Sequence, residues 1–180
     1  KATLNHRKQD LDLVRGLSSV PRSPKFDKNL NLTFLSNSGL LIQVDKETNT
    51  NWVNDEFYFH HTFNFSEDNN LIWAIGTDIN KYSNIAENYD YDFLNDLIIL
   101  IDSKTGKTLE YYSIINPLIE NRLHNFLFSG RNHEAVKDPL HINDVEPVLK
   151  DGEYFKKGDL FISIAHANMV LLFDTIERKI

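Results

Sequence analysis

The chain carries seven histidines and no cysteine, so imidazole rather than thiol is the side chain available for proton exchange near neutrality. Three places concentrate it. His60 and His61 stand side by side in FHHTFNF; His141 opens HIND, with Asn143 two positions later; His166 and Asn168 repeat the His-x-Asn spacing in AHANMV. Residues two apart on a strand share a face, so Asn143 can bring an amide donor to the face that carries His141. Asp138 and Asp144 flank His141, and either carboxylate can orient its ring through the second nitrogen. Neighbours on a regular strand point to opposite faces, which turns His61 towards a site and His60 away from it; a bulge at the pair would exchange the two.

A lone histidine on a strand is more often a hydrogen-bonded structural residue than a chemical one. His166 and Asn168 lie in the link between two apolar strands, where a hairpin loop is the simplest reading, and His6 reads as inert. No metal signature accompanies the histidines: HExxH and a helical pair four apart are both absent, and no metal or other cofactor is expected. GxGxxG, GxxxxGK and GxSxG are absent too, which weakens nucleotide-binding and nucleophile-elbow readings.

The elements that must position these residues are strands. Short apolar runs recur at Leu30–Leu35, Leu40–Val44, Phe57–Phe65, Leu71–Ile75, Leu97–Ile101, Tyr111–Ile115, Leu160–Ile164 and Val170–Phe173, separated by Asn, Asp, Gly and Ser clusters. Three of them align without gaps: LLIQVD, LIILID and MVLLFD, each an apolar strand ending in Asp45, Asp102 or Asp174 before a polar turn. A second element recurs between them, in which a histidine-bearing stretch, a polar turn and an apolar strand follow one another, at His60–His61 and again at His141. The unit reads as a four-stranded antiparallel meander, and its repetition predicts an all-β fold of the β-propeller type, in preference to an ordinary sandwich. In a radial fold equivalent positions face one channel. That raises His61 and His141 above the lone-histidine expectation and predicts that they share a polar cavity.

Residues 1–28 are polar, with Pro21 and Pro24, and read as a terminal arm or linker ahead of a propeller segment at 29–180. A stretch at about 116–137, with Pro117, Arg122, His124, Arg131 and His133, reads as an insertion with one helical turn near Leu118–Phe126. The composition is 41% hydrophobic with 12 Phe and 7 Tyr, enough for a substantial core. A net charge of −7 argues against a nucleic-acid partner. No apolar run approaches the roughly 20 residues that span a bilayer. The chain starts at Lys1, which fits a processed product or a piece of a longer protein.

The stretch DPLHINDVEPV…KKGDLFISIAHANMVLLFD, together with the earlier FHHTFNFSEDNNLIWAI, resembles the arylsulfotransferase-like β-propeller family. The resemblance covers about Phe57–Asp174. It implies a six-bladed propeller, of which this chain supplies about three to four blades. It also implies a channel that transfers a sulfuryl group between phenolic sulfates and phenols through a histidine, without a nucleotide donor. His141 and His61 then match catalytic positions, with Asn143, His60, His166 and Asn168 as substrate-binding ones. The implied partners are a small aryl sulfate or phenol, with further blades or another subunit covering exposed blade faces, in a periplasmic or secreted setting. The pattern departs from the family at Ala165, where the family has Arg before the second His, and the later Gln-His-Asp motif that carries the family's nucleophilic histidine does not occur before Ile180, so the resemblance implies transfer only if the full chain supplies that histidine, and otherwise a degenerate site. The alternative is a propeller that binds or scaffolds without catalysis, with His61 and His141 as structural residues.

Overall fold

The computed structural model describes residues 20–77, 94–123, 125–128 and 138–180. Within them the chain is all-β: three antiparallel sheets formed in chain order, with two short helices. The first sheet is β1 (Arg22–Phe26), β2 (Leu32–Leu35), β3 (Leu41–Val44) and β4 (Thr50–Asn54), each paired with the next. The second is β5 (Tyr58–Phe65), β6 (Leu71–Thr77), β7 (Asp96–Asp102) and β8 (Thr108–Ser113). The third is β9 (Ile142–Pro147), β10 (Leu160–Ile164) and β11 (Met169–Phe173). Helices α1 (Ile115–Glu120) and α2 (Asn125–Phe128) lie between the second and third.

The three strands aligned by sequence, β3, β7 and β11, are each the third strand of their sheet. The aspartate that ends each run closes the following turn. Asp45 Oδ1 accepts from the Glu47 and Asn49 N–H groups, Asp102 Oδ1 from the Thr105 N–H, and Asp174 Oδ1 from the Ile176 and Glu177 N–H groups. All three carboxyls are held below the usual aspartate range, first by side-chain hydrogen bonds from Asn49 at Asp45 and Thr105 at Asp102 and by the Glu177 N–H at Asp174, with the other N–H groups adding to them.

The second sheet is buried on both faces, which is why LIWAIG and LIILI read as unbroken apolar runs instead of alternating. Ile72, Ala74, Ile99 and Ile101 pack with Leu35, Leu41 and Trp52 of the first sheet. Trp73, Ile75 and Ile98 pack with Ile142, Val145, Ile162 and Phe173 of the third, and α1 adds Ile115 and Leu118 to that cluster. Each such side chain contributes about 1.5–3 kcal/mol by leaving water. Polar bolts fix the docking. Trp52 Nε1 donates to the Ser103 carbonyl (3.0 Å) and Asn54 Nδ2 to the Gly106 carbonyl (2.9 Å), while Asn64 Nδ2 reaches the Val145 carbonyl (2.9 Å). Gly106, at φ +71°, must be glycine: a Cβ there would lie 2.4 Å from Trp52 Cδ2.

Two boundaries differ from the sequence reading. Strand β1 falls inside the stretch read as an arm; its polar composition and Pro24 concealed it, yet Lys25 and Phe26 pair with Thr33 and Leu32. Helix α1 begins earlier than the expected turn, at Ile115, because Ile115 and Leu118 turn towards the core. His6, His124, Arg131 and His133 lie outside the described residues.

Candidate functional site: a row of four imidazoles

The first strands of the three sheets, β1, β5 and β9, lie next to one another. Each is irregular near its start. Between Arg22 and Lys25, β1 takes three steps for two on β2. From Phe59 to Phe63, β5 takes four steps for two on β6. From Ile142 to Asp144, β9 takes two steps for one on β10. A left-handed residue stands near each irregularity: Ser23 (φ 47°), His61 (φ 57°) and His141 (φ 49°). A non-glycine residue there carries roughly 1–2 kcal/mol of strain, so the surroundings must hold it. They do. Ser23 Oγ donates to the His61 carbonyl at 2.6 Å. The His141 N–H donates to Asp138 Oδ1 at 3.2 Å, and the Ala165 N–H donates to the His141 carbonyl at 3.0 Å.

These bends assemble four imidazoles in a row. His60 and His61 lie edge to face with centroids 5.1 Å apart. His61 meets His141 edge to face at 4.7 Å, and His141 stacks on His166 at 4.7 Å with planes 20° apart. The rings of His61 and His141, expected to share a polar cavity, touch each other directly. The alternation argument that turned His60 away fails, because the wide β5 bulge leaves both rings adjacent. His166 joins although it lies in the β10–β11 turn. Asn143 is the extra residue of the β9 bulge, exposed, and among the described residues makes no hydrogen bond; the alternation that was to carry it beside His141 is broken there. Asn168 is a left-handed, exposed turn residue whose N–H donates to the Ala165 carbonyl.

Two carboxylates bracket the row. Asp138 Oδ2 lies 2.5 Å from His141 Nδ1, and the Asp138 carbonyl lies 2.6 Å from His166 Nδ1. Both oxygens only accept, so both Nδ1 atoms carry hydrogen and each neutral ring presents Nε2 as a lone pair. Asp96, 2% exposed, begins β7; its Oδ2 accepts from the Ile142 N–H at 2.7 Å and its Oδ1 lies 3.1 Å from His60 Nε2. That last contact is an ion-pair distance without hydrogen-bond alignment, and the buried Nε2 makes no aligned hydrogen bond. His61 is held below the ordinary histidine range first by burial, then by the neighbouring His60 and His141; Asp96 and Asp138 pull the other way.

The rings stack and abut instead of converging on one point, and among the described residues no group of three or more His, Asp or Glu is placed to hold a metal ion. Two clefts lie elsewhere and contain no imidazole. One, of about 640 Å³, lies among the turns around Asp27, Asn69 and Lys104; the other, of about 300 Å³, lies beside Tyr154 and Lys179. Sequence reasoning named Asp138 and Asp144 as alternative orienting groups; Asp138 meets the His141 ring, whereas Asp144 accepts from Asn64 Nδ2 and the Val145 N–H, and Asp96 and Ser23 were missed. A carboxylate leading the apolar run LIILI was the available signal for Asp96, since a buried charge needs partners. Nothing in the sequence marks Ser23.

Three antiparallel sheets formed in chain order define an all-β protein, in which four imidazoles form a row. Residues 27–180 match the family model described as Arylsulfotransferase (ASST), and the chain belongs to that family. Its function is arylsulfotransferase-like at the level of the family. A search of curated proteins returned no match.

Proposed function

We propose that the imidazole row is a sulfuryl-transfer site, moving the sulfuryl group of a phenolic sulfate to a phenol, in the channel of a β-propeller whose consecutive blades include these three sheets. The blade reading is supported by sheets in chain order, each a simple meander, with their first strands side by side. The transfer reading rests on one observation: Asp138 takes the Nδ1 hydrogens of both His141 and His166, leaving two stacked rings that each offer Nε2.

His141 is the attacking ring. Its Nε2 lone pair forms an N–S bond as the S–O(aryl) bond breaks, and that electron pair leaves on the phenolate oxygen. The Asp138 carboxylate balances the positive charge His141 acquires, as an orienting carboxylate does in nucleophile–base pairs. The acceptor phenol then attacks the same sulfur; an O–S bond forms and the N–S electrons return to Nε2. The acceptor's proton passes to His61, whose environment favours the neutral ring, and from there to the next departing phenolate.

A second reading, binding without transfer, is favoured by Ala165 in place of the family's arginine, and among the described residues no arginine touches the row. The test is p-nitrophenyl sulfate with a phenol acceptor, using the full-length protein. Phenol sulfation that is lost in His141→Gln, with a sulfuryl group trapped on His141, supports transfer. Binding without turnover, converted to turnover by Ala165→Arg, selects the second reading. Neither binding nor turnover rejects both.

A further inference from the structure

Asp96 touches both halves of the row without belonging to it. It is buried at the start of β7, on the sheet that carries His60 and His61. One oxygen holds the N–H of Ile142, the residue after the strained His141, at 2.7 Å. The other lies 3.1 Å from His60 Nε2. The contact is not aligned as a hydrogen bond, but a carboxylate oxygen offers only lone pairs and repels another lone pair at that distance, which favours hydrogen on Nε2 and leaves Nδ1 of a neutral His60 as the acceptor.

We propose that Asp96 is a positioning residue that fixes the Nε2–H tautomer of His60 and ties the β5 pair of imidazoles to His141 at the start of β9. Its effect on catalysis rests on the transfer reading above, whereas its effect on the ring hydrogens does not. Asp138 sets the tautomers of His141 and His166 at one end of the row, and Asp96 sets that of His60 at the other. His61, between them, touches neither carboxylate directly. Its titratable neighbours are His60, His141, Asp96 and Asp138. Its proton equilibrium therefore reports on both ends.

Asp96→Asn separates positioning from mere packing. The asparagine oxygen can still accept from the Ile142 N–H, so the strand contact survives. Its NH₂ then faces His60 Nε2, which must become an acceptor, and the hydrogen moves to Nδ1. The experiment is ring-nitrogen NMR across a pH series on the full-length protein and on Asp96→Asn. We expect the Nε2–H form of His60 in the wild type and the Nδ1–H form in the variant. The His61 midpoint should fall further, because a carboxylate that favours its charged form is gone. If transfer is present, kcat should drop by about tenfold or more with KM little changed. An Nδ1–H form of His60 in the wild type overturns the proposal, and that measurement needs no variant to fold. An unchanged His60 tautomer and His61 midpoint in Asp96→Asn overturns it as well. A tautomer switch in a protein that transfers nothing upholds Asp96 and rejects the transfer reading.

Discussion

His61 and His141 belong to different sheets, yet their ring centroids lie 4.7 Å apart with planes 79° from parallel. Neither ring reaches its partner from a regular strand. Each projects from a left-handed backbone held by a hydrogen bond from outside its own strand: Ser23 Oγ to the His61 carbonyl, and the Ala165 N–H to the His141 carbonyl. The meeting is thus built from backbone irregularity, and it can be tested one support at a time.

The first support is Ser23. Ser23→Ala removes one hydrogen bond, worth about 0.5–1.5 kcal/mol, and frees the strained His61 peptide. We expect a stability loss in that range by denaturant titration, together with broadened His61 ring signals. A variant as stable as the wild type with sharp His61 signals would show that the bond does not hold the bend.

The second is Asp138. Asp138→Ala strips the carboxylate from the His141 N–H and ring, leaving the backbone bond to His166. Hydrogen bonds to charged groups are worth about 1.5–3 kcal/mol, so aryl sulfate binding should weaken by roughly tenfold to a hundredfold. Asp138→Asn should keep the N–H contact and lose the tautomer, giving near-normal melting with impaired binding or turnover. Calorimetric titration reads both.

The third concerns acidity. His61 is shifted down in the folded chain, so the unfolded chain binds its proton at a higher pH than the folded one does. The stability linked to this group is complete above the unfolded value of about 6.5. It is lost as pH falls from there through the lowered folded value. Melting temperature should therefore decline with acidification in that window, and His61→Gln should flatten that part of the profile. An equal slope in the variant would assign the decline to other groups.

The fourth lies away from the row. Gly106→Ala puts a Cβ 2.4 Å from Trp52 Cδ2 at φ +71° and must displace the indole from the turn it covers. We expect a loss of about 1–3 kcal/mol and a shift in tryptophan emission as Nε1 leaves the Ser103 carbonyl. The four-imidazole row, which shares no contact with the Gly106 turn among the described residues, should keep its NMR pattern.

Strands that are apolar on both faces were plain in the sequence: β10 coincides with the run Leu160–Ile164, and β3, β6 and β7 lie within a residue or two of theirs. What was hidden shares one cause. Strands β1 and β4, RSPKF and TNWVN, place few apolar side chains in the core, so hydrophobic patterning could not mark them. The site was legible as residue types, since His61, His141 and their flanking Asp138 were all singled out. It was illegible as geometry. Period-two reasoning assumes a regular ladder, and at His60–His61 and at Asn143 the ladder slips. The slip sends His60 into the row and leaves Asn143 exposed in a bulge. Left-handed histidines leave no trace in composition, and the place of Asp96 ahead of LIILI marks a buried carboxylate without naming Ile142 as its partner.

Because the row is drawn from His60 and His61 on β5 and from His141 and His166 around β9 and β10, and is braced by Ser23 on β1, no single sheet contains it. Each sheet can form from contacts close in sequence, whereas the row requires closure of loops that span most of the chain, the slow kind of step in folding. On a ribosome the imidazoles cannot meet before His166 has emerged, by which time the first two meanders are available as finished surfaces. The time at which the His61 and His141 rings come into contact is thus a clock for sheet docking, later than strand formation and readable without any substrate.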